Sequence, residues 1–166
     1  SEVEATSNDL DKILDKIVHG SLNFSTPQQS TMIDRLKKAF QEASDAIMEQ
    51  AGNLGENAKE RGYQLIEEWL RIFPRMQAYG LEMVNFSLTV ALSPSLEVEM
   101  RGKHEDFSPE RLDEILKENK GSTAMVSVFT TIKSTYSLYR STGNELNDPL
   151  IVRMKIKITP EIKVTI

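Results

Sequence analysis

Two stretches of this chain are copies of one pattern, and that repetition constrains the fold more than any other feature. Phe86 to Met100 reads FSLTVALSPSLEVEM and Val152 to Ile166 reads VRMKIKITPEIKVTI, at a constant offset of 66 residues. Each copy has four alternating apolar positions, then Ser or Thr, then Pro, then three more alternating apolar positions. Successive side chains on a strand point to opposite faces. A period of two therefore describes a strand with one face in a core and the other in water. Proline cannot donate to a sheet ladder, so Pro94 and Pro160 mark turns, sharp bends or edge positions. Tight turns at Ser93–Leu96 and Thr159–Ile162 and one long bent strand per copy both fit, because the parity holds across each proline.

The polar faces of the copies differ in sign. The first carries Glu97 and Glu99 and no basic residue; the second carries Arg153, Lys155, Lys157 and Lys163 against Glu161. Opposite charges on neighbouring strands attract by roughly 0.2–1 kcal/mol per pair. The two copies are therefore expected side by side in one sheet, within a chain or between two chains.

The N-terminal half has a different period. Met32, Leu36, Phe40, Ala43, Ile47, Ala51, Leu54, Ala58, Gly62, Leu65, Trp69, Phe73 and Met76 are spaced 4, 4, 3 throughout. An 11-residue repeat stays close to the pitch of an α-helix, which predicts one long amphipathic helix with a seam that barely drifts. Such a seam must cover a sheet, a copy of itself or a lipid surface. Gly52, Gly55 and Gly62 each weaken the helix by roughly 1 kcal/mol relative to alanine. Pro74 should kink or end it near Phe73, and Gly80 closes the region.

The remaining elements follow from their punctuation. Leu10, Ile13, Leu14, Ile17 and Val18 predict a short helix over 8–19, with Asn8 as its N-cap and Gly20 as its stop, after a frayed tail over 1–7. Ser108, Pro109 and Phe107 supply an N-cap, a first-turn proline and a staple onto Leu112, and Gly121 ends that helix. Residues 122–141 are rich in β-branched side chains, which favours strand. Their apolar residues Met125, Val128, Phe129, Ile132, Tyr136 and Tyr139 nevertheless form one helical stripe, so a helix is expected. The fold class is thus α+β: a long N-terminal amphipathic helix on an antiparallel sheet of two strand–Pro–strand units, with one or two further helices. Residues 1–166 read as one domain, helical over 1–80 and mixed over 81–166.

Nothing in the sequence carries a catalytic pattern. The chain has no cysteine, which removes thiol chemistry and cysteine-ligated metals and fits a reducing cytoplasm. His19 reads as a cation at a helix C-terminus. His104, in the polar loop Gly102–Asp106, is the one candidate general base or metal ligand, without a second histidine at ligand spacing. Glu67 and Glu68 point in different directions on a helix and form no dyad. Neither a phosphate-binding glycine loop nor a nucleophile elbow is present, so no catalytic residue, metal or cofactor is expected. A net charge of −5 gives no support to nucleic-acid binding. No apolar run reaches membrane-spanning length, and the polar, acidic start has no signal-peptide pattern.

The expected function is that of a non-catalytic assembly or protein-binding module, which self-associates or docks a partner through its long helix and its sheet. Trp69, Phe73 and Met76 form the heaviest apolar patch and are the candidate contact for a partner or ligand. Arg153, Lys155 and Lys157 are the candidate anion contact, with structural pairing to Glu97 and Glu99 the favoured use. The alternative is a lipid-surface or apolar-ligand binder. It is disfavoured because acidic and basic groups nearly balance between residues 28 and 79, without the basic excess that anionic membranes reward.

Overall fold

A computed structural model describes residues 19–21, 29–50, 56–90 and 94–166. The elements are β1 (His19–Ser21), α1 (Gln29–Gln50), α2 (Glu56–Ala78), β2 (Glu82–Thr89), β3 (Ser95–Gly102), a 3-10 turn (His104–Asp106), α3 (Pro109–Glu118), α4 (Thr123–Thr142), β4 (Leu150–Ile156) and β5 (Glu161–Thr165). The chain is α+β. The strands form one sheet in the order β1-β2-β3-β4-β5, with every neighbouring pair antiparallel.

The two sequence copies are two hairpins, β2–β3 and β4–β5, each with its proline immediately before the second strand. Their internal registers are the same. Thr89 opposes Ser95, Leu88 opposes Leu96, Ser87 opposes Glu97, Phe86 opposes Val98 and Asn85 opposes Glu99. Adding 66 to each residue gives Lys155–Glu161, Met154–Ile162, Arg153–Lys163, Val152–Val164 and Ile151–Thr165, which are the pairs of the second hairpin. The chain reverses within each copy, so neither is one long bent strand, but not by tight turns at Ser93–Leu96 and Thr159–Ile162: Ser95, Leu96, Glu161 and Ile162 already pair in strands, because each proline ends the loop and opens the second strand. The equivalence also reaches the preceding helices. Gly62, Tyr63, Ile66 and Leu70 of α2 are buried, and so are Val128, Phe129, Ile132 and Tyr136 of α4, again 66 residues on. The repeated unit is therefore helix–strand–strand. The match in burial covers these four positions and not the last turns, where buried Trp69, Phe73 and Met76 correspond to half-buried Thr135 and Tyr139 and exposed Thr142; the sequence copy is visible only in the strands.

The apolar stripe belongs to two helices, not one. Phe40 of α1 and Tyr63 of α2 have ring centroids 5.6 Å apart. In a straight helix, 23 residues would separate them by about 35 Å. The stripe folds back on itself, and the helix pair buries a wider face than a single seam would. Ile33, Ala39, Tyr63, Ile66 and Leu70 lie off the stripe and are buried as well. Residues 51–55, which hold Gly52 and Gly55, and the expected helix over 8–18 lie outside the described residues. His19, expected to end that helix, is instead in β1, opposite Ser87.

Pro74 neither ends nor replaces the last turn of α2, which runs on to Ala78. Its neighbours Phe73 and Met76 are both fully buried, and their burial offsets the lost backbone bond. The helix stops at Gly80, whose φ of 114° suits a residue without Cβ. Gly80 N–H donates to Gln77 O and Leu81 N–H to Met76 O, a Schellman closure sealed by the buried side chains of Met76 and Leu81.

The expected helices after the first hairpin are present. Ser108 Oγ accepts from Arg111 N–H at 3.2 Å, and Pro109 opens α3. In α4, Met125, Val128, Phe129, Ile132 and Tyr136 are buried, and Gly143 (φ 70°) ends the helix. The threonines that suggested strand are accommodated by back-bonding: Thr131 and Thr135 donate to Ser127 O and Thr131 O at 2.7 Å each. A bulge at Val84 lets Met83 and Phe86 share the core face of β2, opposite Met100 and Val98.

The core lies between the helices and one face of the sheet, where Phe86, Leu88, Leu96, Val98, Val152 and Met154 are buried. Gly62 sets how closely α2 approaches that sheet. A Cβ placed there would sit 2.8 Å from Pro94 Cγ and 2.9 Å from Pro94 Cδ. Gly62→Ala is expected to destabilise by about 1–2 kcal/mol, overpacking outweighing the helix-propensity gain. Urea denaturation of Gly62→Ala and of Gly62→Ala/Pro94→Ala checks this; truncating the proline ring should recover part of the loss.

Candidate functional site

Alternation along the strands sends one set of side chains into the core and the other onto the outer face of the sheet, where the hairpins meet at β3 and β4. Glu97 opposes Lys155 and Glu99 opposes Arg153. Lys155 Nζ is 3.5 Å from Glu97 Oε1, and Arg153 Nε is 3.0 Å from Glu99 Oε1. Arg101 approaches the other oxygen of Glu99, with Nη2 at 2.9 Å and Nε at 3.0 Å. Glu99 is thus a nearly buried carboxylate shared by two half-exposed guanidiniums. The difference in sign between the copies is what joins them. An open groove of about 500 Å³ runs over this face, lined in part by Asn85, Ser87, Glu99, Arg153 and Lys163.

The candidate anion contacts therefore lie on the outer face already engaged with carboxylates. Arg153 and Lys155 bridge the two hairpins, and Lys157 lies 3.3 Å from Glu161 at the tip of the second. Trp69, Phe73 and Met76 are placed differently from a contact patch. Trp69 is 4% exposed and the other two are fully buried, so they pack the chain's own core and present nothing to a partner or ligand. The physical reason is the sheet itself, whose apolar face needs the heaviest side chains of α2. Met32, Leu36, Phe40, Ala43, Gly62, Trp69, Phe73 and Met76 of the stripe are buried and Leu65 is half-buried, so these positions face the chain's own core.

His104 sits in a clamp. Its Nε2 lies 2.6 Å from Asn147 O, which can only accept, so Nε2 carries a proton and donates. In the neutral ring Nδ1 then accepts from the Tyr136 hydroxyl at 2.7 Å. Asp148 Oδ1 is 3.8 Å from Nε2 on an exposed side chain. Both ring nitrogens are used to tie the 3-10 turn to α4 and to the loop before β4. Neither is left for a substrate proton or a metal ion. No group of three His, Cys, Asp or Glu side chains that could hold a metal occurs among the described residues.

Burial, and secondarily the charge of Asp148, hold the Tyr136 hydroxyl well above the usual tyrosine range. The hydroxyl is neutral in both states at neutral pH. Above about pH 10 the unfolded chain ionises first, so stability falls by up to about 1.4 kcal/mol per pH unit. Tyr136→Phe is expected to cost about 1 kcal/mol near pH 7 through the lost bond to His104 and to reduce this alkaline slope, leaving the part due to Tyr63, whose hydroxyl burial also raises. Denaturation midpoints of both proteins between neutral and alkaline pH check it.

The last feature of the sheet is its edge. β5 pairs with β4 on one side, and no strand covers its other side among the described residues. Its equivalent in the first unit, β3, is paired by β4 from Leu96 to Gly102. α4 packs on β5, and half-buried Ile162 and Val164 alternate with exposed Glu161, Lys163 and Thr165.

No family model, curated protein or solved structure matches this chain. No helix among the described residues is long and apolar enough to cross a membrane.

Proposed function

We propose that this chain is a non-catalytic assembly module which takes a strand of a partner onto the outer edge of β5. One observation carries the reading: β5 repeats the position of β3, and β3 is paired on both sides while, among the described residues, no strand pairs with the outer side of β5. An uncovered row of backbone donors and acceptors is a template for strand addition. The helix docking surface considered from sequence has no part in this reading, because the stripe is used internally.

A strand peptide tests the edge. Residues 95–102, SLEVEMRG, alternate apolar and acidic side chains and would set a carboxylate against Lys163. Titrated into isotopically labelled protein, the peptide is expected to shift the amide resonances of β5 and of α4 residues beneath it. Shifts confined to the groove on the outer face, or no shifts at all, contradict the proposal.

A further inference from the structure

The chemistry of β5 selects one partner in particular. We infer that the strand added to β5 is β5 of a second copy, antiparallel about a two-fold axis at Ile162; this rests on the edge reading above. In an antiparallel pair, residues opposite each other share a face. A symmetric pairing that continues both sheets with their helices on the same side must therefore set apolar against apolar and polar against polar.

Five such registers are available along Glu161–Thr165, and the one centred on Thr165 brings no charged pair of the strand together. Centring on Glu161 sets that carboxylate against itself, and centring on Lys163 sets two ammonium groups together. Centring on Val164 sets Lys163 against a threonine. Only the register centred on Ile162 sets Glu161 against Lys163 of the second copy, twice by symmetry, with Ile162 against Ile162 on the core face. Glu161 would then lie between that lysine and its own Lys157, 3.3 Å away. Glu99 already holds this arrangement between Arg101 and Arg153 where the two hairpins join. Pairing also covers the half-exposed Ile162 and Val164, which no neighbouring strand shields on that side.

An isologous interface of this kind closes as a dimer, because each chain brings its single β5 edge to the two-fold axis. The paired segment is short, so the dimer is expected to dissociate on dilution.

Sedimentation velocity over a wide concentration range tests the dimer. Lys163→Glu sets carboxylates together at both symmetric positions and is expected to weaken dimerisation about tenfold. The charge swap Glu161→Lys/Lys163→Glu restores opposite pairs and should restore most of the affinity. The cysteine-free sequence allows a second test independent of those variants. Ile162→Cys places two thiols directly opposite, with Cα atoms about 5 Å apart, within disulfide reach. Thr165→Cys places them about 20 Å apart. Mild oxidation should give a covalent dimer with the first and none with the second. Circular dichroism confirms that each variant is folded. A monomer at every concentration, equal crosslinking at both positions, or a dimer indifferent to Lys163→Glu overturns the inference. If the protein is monomeric yet β5 still responds to the SLEVEMRG peptide, self-pairing fails and the edge reading stands. If both experiments are silent, both readings fall.

Discussion

Replacing Glu99 with lysine is expected to destabilise the fold by about 3 kcal/mol. The estimate follows from what Glu99 touches. Its side chain is 11% exposed and its two oxygens serve Arg153 and Arg101 at 2.9–3.0 Å. Exposed ion pairs contribute little, but charge-assisted bonds to a nearly buried carboxylate are each worth about 1.5–3 kcal/mol. The two guanidiniums are about half exposed and rehydrate when the carboxylate is lost, which trims the cost. Lysine adds a third cation in their midst, which raises it again. For a chain of this size the melting temperature should fall by roughly 2–4 °C per kcal/mol. The partner substitution separates pairing from packing. Because Glu99 and Arg153 stand opposite each other in the register, Glu99→Lys/Arg153→Glu should recover more than half of the loss. A loss below about 1 kcal/mol, or no recovery in the double variant, would show that the ion pair does not hold the hairpins together.

Phe129→Ala should cost more, about 3–5 kcal/mol. Phe129 is fully buried and stands edge-on to Tyr79 at 5.8 Å and tilted to Phe107 at 6.2 Å. Through those rings it joins α4 to the end of α2 and to the start of α3. Tyr79 is in turn fixed by its hydroxyl, which donates to Glu118 at 2.7 Å and accepts from Asn119 Nδ2 at 2.9 Å. Its ring is therefore poorly able to move into the space left by Phe129, and a large share of the cavity should persist. Leu138→Ala, at a position 66% exposed on the same helix, is the control and should stay within about 0.5 kcal/mol of the parent. Chemical denaturation of the two variants side by side checks both values.

The parts of this fold that were readable from sequence are those fixed by local period. Alternation located β2 to β5, the capping residues located α3, and the stripe Met125–Tyr139 identified α4 as a helix against its β-branched composition. The sign difference between the copies also anticipated which hairpin edges meet, because charge pairing across a sheet depends only on register. What escaped were features decided by long-range contact. The 4-4-3 spacing continues across both α1 and α2, so period alone could not separate one helix from two folded together. Pro74 was read as a break because the burial of Phe73 and Met76, which offsets its cost, is tertiary. Trp69, Phe73 and Met76 looked like a contact patch for the same reason. The clamp of His104 by Tyr136 and Asn147 joins residues about thirty to forty positions apart, and no spacing rule connects them. The repeat of the helices was hidden because they share burial at only four equivalent positions and not residue identity.

Amide hydrogen exchange of β5 against β3, in protein dilute enough to be monomeric, tests the central claim most directly. The two strands occupy equivalent places in the repeated unit, but among the described residues β3 is bonded on both sides and β5 on one. The outward-facing amides of β5 are predicted to exchange at least about tenfold faster than their equivalents in β3 and to gain protection as protein concentration rises. Equal protection of the two strands in dilute protein would mean that the edge is already covered, and would contradict the account.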